Sequence, residues 1–159
     1  MAITNREIAR MLFNIATLLD MAQDNLYRVR AYRRAARRIL ILPEAATSIV
    51  ERGEELPLPG VGTRIRRKLG ELLQSGSMAF YAELLEDQPR HVRHLMDIEG
   101  VGPKIAHRLH TELGATTPED VIAAGEKGKI RALPGFGWRS EARLMESARS
   151  AMSRSSRAA

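Results

Sequence analysis

Three segments of this chain share a Gly-x-Gly pattern, and each lies between two stretches whose apolar residues have helical spacing. Aligned without gaps, they read LPGVGTRIRRKL at 58–69, IEGVGPKIAHRL at 98–109 and LPGFGWRSEARL at 133–144. A unit that recurs in this way indicates a repeated piece of supersecondary structure. Each copy has a basic residue two positions after its second glycine. The repeat therefore restricts the fold to helices joined by tight hairpin turns.

The remaining sequence predicts an all-α fold. Thr4 and Glu7 have the spacing of a capping box, and apolar residues then recur at helical intervals. No window alternates apolar and polar residues with β-branched enrichment, so we expect no sheet. Pro43 suits the first turn of a helix, and Gly53 suits its end. The first predicted helix begins at residue 4. The other predicted helices cover 26–40, 43–53, 63–75, 80–87, 89–98, 103–113, 117–124 and 138–152, and a short helical piece is predicted at 129–133.

The helices group into two predicted domains. A four-helix domain that includes the first hairpin spans 1–76, and the second and third hairpin units span 77–152. Residues 153–159, SRSSRAA, are small and charged, and we expect them to form a flexible tail.

Composition narrows the class of protein and its partner. The chain has no cysteine, which excludes disulfides, Cys-ligated zinc and thiol catalysis. No apolar run approaches the roughly 18 residues of a membrane span, and the N-terminal segment is charged where a signal peptide is apolar. We therefore expect a soluble, cytoplasmic protein. A net charge of +6 favours a polyanionic partner, and 21 arginines against 4 lysines favour phosphate, although a GC-rich genome has the same effect on composition.

Each Gly-x-Gly segment is a candidate phosphate-binding site. Glycine lets the backbone adopt positive φ and approach a ligand, and the next helix presents free N–H groups and the positive end of its dipole. A basic side chain one turn into that helix adds a charge-assisted contact. The alternative is that the glycines only end one helix and allow close packing. The predicted DNA-binding residues of the hairpins are Gly60, Gly62, Arg64, Gly100, Gly102, Lys104, Gly135, Gly137 and Arg139.

Contacts of this kind position a protein on DNA without reading bases. The second hairpin has Glu99 where the others have Pro59 and Pro134. Since a carboxylate repels phosphate, we expect this hairpin to contribute least. No cofactor is expected, and a monovalent cation at a hairpin is compatible with the pattern.

The helix at 26–40 carries a second basic surface. At 3.6 residues per turn, five of its arginines fall within one arc of about 140°. Without an interleaved acid these charges repel one another, which favours DNA binding over a merely solvated face. Tyr27 and Tyr32 can stack on unpaired bases or pack in a core. The five arginines are Arg30, Arg33, Arg34, Arg37 and Arg38.

Four segments together resemble the N-terminal region of bacterial family X DNA polymerases. They are RVRAYRRAARRILILPE at 28–44, LPGVGTRIRRKLGELLQSG at 58–76, IEGVGPKIAHRLHTELG at 98–114 and LPGFGWRSEARLMESA at 133–148. The resemblance implies a small helical domain similar to the polymerase β lyase domain, followed by helix-hairpin-helix units. In that family a palm domain with a metal-binding Asp triad follows. The five aspartates of this chain are scattered, so we expect no polymerase activity from it.

The resemblance also implies a role for Lys68. In the lyase domain a lysine at this position forms a Schiff base with the sugar aldehyde of a 5′-deoxyribose phosphate, while Arg28 and Arg64 match phosphate-binding positions and Tyr32 matches a buried, orienting hydroxyl. The second and third repeats have arginine here, and only an amine can form an imine. Arg64 and Arg67 are expected to lower the pKa of the amine.

Several residues depart from the family pattern. Arg66 and Arg67 stand where alanine and glutamate are common, and the glutamate helps to move protons. Leu56 and Pro57 replace a basic pair, and Phe80 replaces a phosphate-binding lysine. The alternative role for Lys68 is therefore a simple phosphate contact.

The four histidines form two i,i+3 pairs, His91 with His94 and His107 with His110. Such pairs can chelate zinc, but the helices that flank a hairpin diverge and no carboxylate is placed to orient the rings. We expect surface or core histidines and no metal site.

Three functions remain open at this point. The first is sequence-nonspecific DNA binding in repair, at gaps, nicks or 5′-phosphorylated ends, by a nucleoid-associated protein within a larger repair assembly or beside a polymerase domain outside this chain. The second is a 5′-deoxyribose-phosphate or abasic-site lyase that acts through Lys68. The third is a helical protein-interaction adaptor, for which binding to DNA should depend only weakly on salt.

Overall fold

A computed structural model describes residues 2–159, which form two compact units, one ending at Asp87 and the other spanning Gln88–Ala159. The described residues are helical and contain no strand, so the predicted all-α class is confirmed. The helices are α1 (Asn5–Met21), α2 (Leu26–Leu40), α3 (Ala46–Glu51), α4 (Thr63–Ser75), α5 (Ala79–Glu86), α6 (Arg90–Met96), α7 (Pro103–Leu113), α8 (Pro118–Glu126) and α9 (Trp138–Ala158).

The core of the first unit forms where α1 packs along α2. Ile8 and Leu12 of α1 are buried together with Leu69 of α4. The unit extends beyond the predicted boundary at residue 76 because α5 packs on the same core. The amide nitrogen of Asn14 donates a hydrogen bond of 3.0 Å to the hydroxyl of Tyr81, which joins α1 to α5.

Helix α3 begins later than the sequence predicts. Pro43 lies outside it, and the first helical residue is Ala46. The backbone N–H of Ala46 donates to the side-chain oxygen of Asn5 at 2.8 Å, while the amide nitrogen of Asn5 donates to the backbone carbonyl of Glu44. Asn5 of α1 thus caps α3 from a distance in sequence. Gly53, with φ of +77°, follows the helix as predicted.

The second unit has its own core. Leu95 and Ile98 precede the second hairpin and are fully buried with Leu109 of α7 and Ile130. Residues 129–133, predicted to be a short helical piece, form turns instead. Gly128 precedes them with φ of +68°, which interrupts helical geometry.

Helix α9 continues to Ala158, beyond the predicted end at residue 152. Ala151 is buried, and the guanidinium of Arg154 donates to the backbone carbonyl of Asp97 at 3.1 Å. This contact ties the last turns of α9 to the end of α6. The flexibility of residues 153–159 stays a prediction.

Among residues 2–159, no helix is long and apolar enough to cross a membrane.

Candidate nucleic-acid interface

The three hairpins share one turn geometry. A backbone hydrogen bond closes each turn: Val61 N–H donates to Leu58 at 3.1 Å, and the equivalent bonds in the second and third copies are 3.0 and 3.1 Å long. The first glycine of each pair, the third residue of the turn, has φ of +80°, +88° or +86°. These features are those of a type II turn, in which glycine is strongly favoured at this position. The first glycines are Gly60, Gly100 and Gly135.

The second glycine of each pair begins the next helix and has ordinary extended φ. Gly62 has φ of −76° and ψ of 171°, and the carbonyl of this N-cap residue accepts the first helical hydrogen bond, from Arg66. A Cβ placed on Gly62 or Gly137 would meet no atom within 4 Å. Positive φ, which the sequence analysis associates with the glycines of these segments, occurs only at the first glycine of each pair. The second leaves the N–H groups of the helix start open to a ligand.

The basic residues expected beside the turns lie where the sequence places them. Arg64, Lys104 and Arg139 are each the second residue of α4, α7 and α9, and all three are exposed. Each hairpin therefore combines free N–H groups with a cation on the first helical turn, which suits an anion.

Arg66 holds the first hairpin together, a role that the sequence analysis missed. Its half-buried guanidinium donates three hydrogen bonds, to the carbonyls of Val61, Leu56 and Leu58 at 3.0, 2.9 and 2.8 Å. Arginine at this position thus gives the loop carbonyls side-chain donors that a family-typical alanine lacks.

The arginines of α2 form the predicted basic surface. Arg33 is partly neutralised by Asp20 of α1, at 3.3 Å, an acid that the spacing within α2 does not reveal. Arg34 donates to the carbonyl of Gly60 at 3.3 Å, which places this surface beside the first hairpin. An open groove of about 470 Å³ is lined by Arg30, Arg33, Arg34, Arg37, Arg38 and Ile41.

Lys68, Arg28 and Tyr32 meet around the ring of Phe80. The ammonium nitrogen of Lys68 lies 4.9 Å from the ring centroid and the Arg28 guanidinium carbon 5.6 Å, while the Tyr32 ring stacks at 6.0 Å between centroids. Phe80, which replaces a lysine of the family pattern, thus holds two cations by cation–π contact. Arg28 also pairs with Asp24 at 3.0 Å.

Charge and burial shift the pKa values of Lys68 and Tyr32 in this cluster. Partial burial lowers the pKa of the Lys68 amine, and the charges of Arg28, Arg64 and Arg67 lower it further, whereas Glu71 opposes the shift. Burial raises the pKa of Tyr32, whose side chain is only 3% exposed, so that it packs in the core rather than stacking on bases. A depressed lysine pKa enlarges the fraction of free amine at neutral pH.

The third hairpin carries aromatic residues that the sequence analysis did not single out as functional. Trp138 is 72% exposed at the start of α9, and the Arg131 guanidinium carbon lies 3.6 Å from its ring centroid. The guanidinium of Arg108, the counterpart of Lys68 in the second copy, donates to the carbonyl of Pro134 at 2.8 Å and lies 5.0 Å from the ring of Phe136. Trp138 could have been identified as a candidate from the sequence, because it is the one tryptophan and directly follows a Gly-x-Gly segment.

Two histidines from different helices contact each other, although they are not an i,i+3 pair. His91 of α6 stacks on His110 of α7, with ring centroids 3.6 Å apart. His110 Nδ1 also lies 3.0 Å from the carbonyl of Ala115. Among residues 2–159, no three His, Cys, Asp or Glu side chains converge on a possible metal site.

The fold and the hairpins define a tandem helix-hairpin-helix protein, a DNA-binding class. Residues 3–78 match the family described as a helix-hairpin-helix domain, and residues 92–150 match the SAM-like helix-hairpin-helix tandem. The two matches fall in the first and the second compact unit.

The chain resembles a bacterial family X DNA polymerase, which confirms the resemblance seen in the sequence. It is 28% identical over 141 residues to the DNA polymerase/3′-5′ exonuclease PolX of Bacillus subtilis (strain 168), covering 89% of this chain and 24% of that protein. It is also 30% identical over 88 residues to the Holliday junction branch migration complex subunit RuvA of Xylella fastidiosa (strain M23), covering 55% of this chain and 45% of that subunit. The chain thus spans about a quarter of the polymerase and under half of RuvA.

We predict that Gly62→Ala weakens DNA binding about tenfold without destabilising the fold. The added methyl group meets no protein atom within 4 Å, but it occupies the space through which we expect a phosphate to approach the helix start. One backbone hydrogen bond to a charged oxygen is worth about 1.5–3 kcal/mol. Gly70→Ala, the same change within α4, is the matched control and should leave affinity unchanged. Fluorescence anisotropy with a labelled duplex measures both. Equal affinities for the two variants would contradict phosphate binding at this turn.

Proposed function

We propose that the protein binds DNA without sequence readout and prefers interruptions that bear a 5′-phosphate, such as gaps and nicks. The observation that carries this proposal is the group of cations beside the first hairpin. Arg28 and Lys68 share the ring of Phe80, and the charge of Arg64 acts on Lys68. An anion at this site relieves their mutual repulsion.

The charge of the cluster favours a terminal phosphate over an internal one. A phosphate monoester carries about −1.5 to −2 charges at neutral pH, whereas an internucleotide phosphate carries one. Three cations in one place interact more strongly with the dianion, since charge-assisted hydrogen bonds strengthen with charge. The hairpins and the α2 arginines, which contact ordinary phosphates, supply affinity for the flanking DNA.

The names of the relatives support a place in DNA metabolism. One is a polymerase with an exonuclease, and the other belongs to a Holliday junction complex. We infer that this protein acts in repair or recombination, is associated with the nucleoid, and works within a larger assembly or beside a polymerase domain.

A second function, a 5′-deoxyribose-phosphate or abasic-site lyase, is favoured by the lowered pKa of Lys68. The neutral amine attacks the C1′ aldehyde, and loss of water leaves a Schiff base. Removal of a C2′ proton then breaks the C3′–O bond, and the phosphate ester departs with the electron pair. The Schiff base finally returns the amine by hydrolysis.

The proton transfer requires a base near Lys68. Glu71, one turn further along α4, is the carboxylate whose charge acts on the amine. Its side chain also accepts a hydrogen bond of 2.9 Å from the N–H of Ala79 at the start of α5. Glu71 is therefore the candidate base, and its capping contact competes with that role.

The binding function predicts a steep salt dependence. The α2 arginines and three hairpins engage roughly six to ten phosphates, so affinity should fall about 10³- to 10⁵-fold between 50 and 200 mM salt. Anisotropy titrations with two duplexes of scrambled sequence should agree within about twofold. A flat salt profile would favour the protein-interaction adaptor instead.

The preference for a terminal phosphate is tested with two gapped duplexes that differ only in a 5′-phosphate or a 5′-hydroxyl at the gap. We expect the phosphorylated gap to bind about tenfold more tightly, the effect of one added charge-assisted hydrogen bond. Arg64→Gln should abolish this ratio. Arg38→Gln on α2 should weaken binding to both duplexes and keep it. If the wild-type protein binds both equally, the terminal-phosphate proposal fails while DNA binding stands.

The lyase function predicts a borohydride-trapped adduct on a 5′-incised abasic duplex. Lys68→Arg should keep DNA affinity within a few-fold and abolish the adduct, because the charge remains and the nucleophile does not. The adduct yield should rise with pH through a pKa below that of an ordinary lysine. A wild-type protein that gives no adduct would leave Lys68 as a phosphate contact. An adduct that persists in Lys68→Arg would assign the reaction to another amine, such as Lys104.

A further inference from the structure

The third hairpin differs from the other two by an indole at its rim. Trp138 begins α9, whereas the equivalent first residues are Thr63 in α4 and the buried Pro103 in α7. A single exposed aromatic side chain is common on protein surfaces. Trp138 differs from such a residue because its ring packs against a side chain that is itself fixed by other contacts.

The indole rests on an arginine that is itself fixed. The Arg131 guanidinium carbon lies 3.6 Å from the ring centroid of Trp138. Glu141, only 4% exposed, accepts a hydrogen bond of 2.8 Å from the backbone N–H of Arg131 and pairs with its guanidinium at 3.5 Å. One buried carboxylate thus holds both the backbone and the side chain of Arg131. With 72% of the Trp138 side chain exposed, the opposite face of the ring is open.

The turn next to the indole is also held from outside the hairpin. Arg108 of α7 donates to the carbonyl of Pro134 and covers the ring of Phe136. Because the turn and its aromatic rim are ordered before a ligand arrives, binding there costs less conformational entropy.

We propose that Trp138 stacks on an unpaired nucleobase beside the phosphate that the third hairpin binds. This inference rests on the phosphate-binding function proposed above. An open aromatic face, backed by the Arg131 guanidinium and adjacent to the candidate phosphate site of the third hairpin, matches single-stranded nucleic acid, in which bases and phosphates alternate. In an intact duplex both faces of an internal base are covered by its stacked neighbours. The site therefore selects DNA that presents a single-stranded or frayed base.

The intrinsic fluorescence of the protein reports on this site directly, because the chain contains one tryptophan. Saturation with a single-stranded oligonucleotide should quench the emission of Trp138. A duplex closed at both ends by linkers that contain no nucleotides presents no unpaired or frayed base and should quench it far less. A strand of equal length whose central sugars carry no bases keeps the phosphates and should not quench it.

Substitutions test the energetic contribution. Trp138→Ala should weaken binding to single-stranded DNA about 5- to 150-fold, the range measured for one stacked base, and change affinity for the closed duplex less than about twofold. Trp138→Phe should lie between. Leu26→Ala, which truncates an apolar side chain at the start of α2 in a residue that is 58% exposed, is the control and should change neither affinity.

The outcomes separate this inference from the function on which it rests. Salt-dependent DNA binding with unchanged indole emission, or with equal affinities for Trp138→Ala and wild type, would overturn the stacking site and leave phosphate binding intact. A wild-type protein that binds closed duplex but no single strand would overturn it as well. A protein that binds no DNA would refute both. The fluorescence experiment uses the unaltered chain and does not depend on the folding of any variant.

Discussion

A glycine with positive φ reverses the chain in each hairpin, and the whole candidate interface depends on that reversal. At Gly60, Gly100 and Gly135 the turn closes on a backbone hydrogen bond and delivers the next helix start to the surface. The free N–H groups of the helix, its dipole and the basic side chain of its first turn then point toward the same region. A side chain at these glycines would strain the turn and misplace the N–H groups, the helix dipole and the basic side chain.

Arginine has two separate uses in this protein. Arg66 and Arg108 are held against loop carbonyls, and Arg131 supports an aromatic ring, so their charges stabilise the hairpins. Arg64 and Arg139 remain exposed beside the turns. The high arginine content therefore does not measure the charge available to DNA. Some of the arginines donate hydrogen bonds to backbone carbonyls of the turns, and others are exposed cations that can bind phosphate.

Sequence reasoning succeeded where the determinants of structure are local. The bounds of α2, α4 and α7 agree with the prediction because their ends are set by residues within one turn, such as Gly76 and Gly114 with their left-handed conformations. The ends of α3 and α9 differ because distant groups set them. Asn5 caps α3 across the unit, and the bond from Arg154 to the end of α6 supports the last turns of α9.

The sequence by itself determined the all-α class, the bounds of helices such as α2, α4 and α7, the three turns and the identity of Lys68 as the amine among arginines, since each follows from residue type and short spacing. Only the tertiary structure decided which groups surround those residues. Phe80 comes under Lys68 because α5 packs on α1, and the buried Glu141 orders Arg131 against Trp138. Contacts of this kind depend on how helices pack, and helix packing leaves no fixed spacing in the sequence.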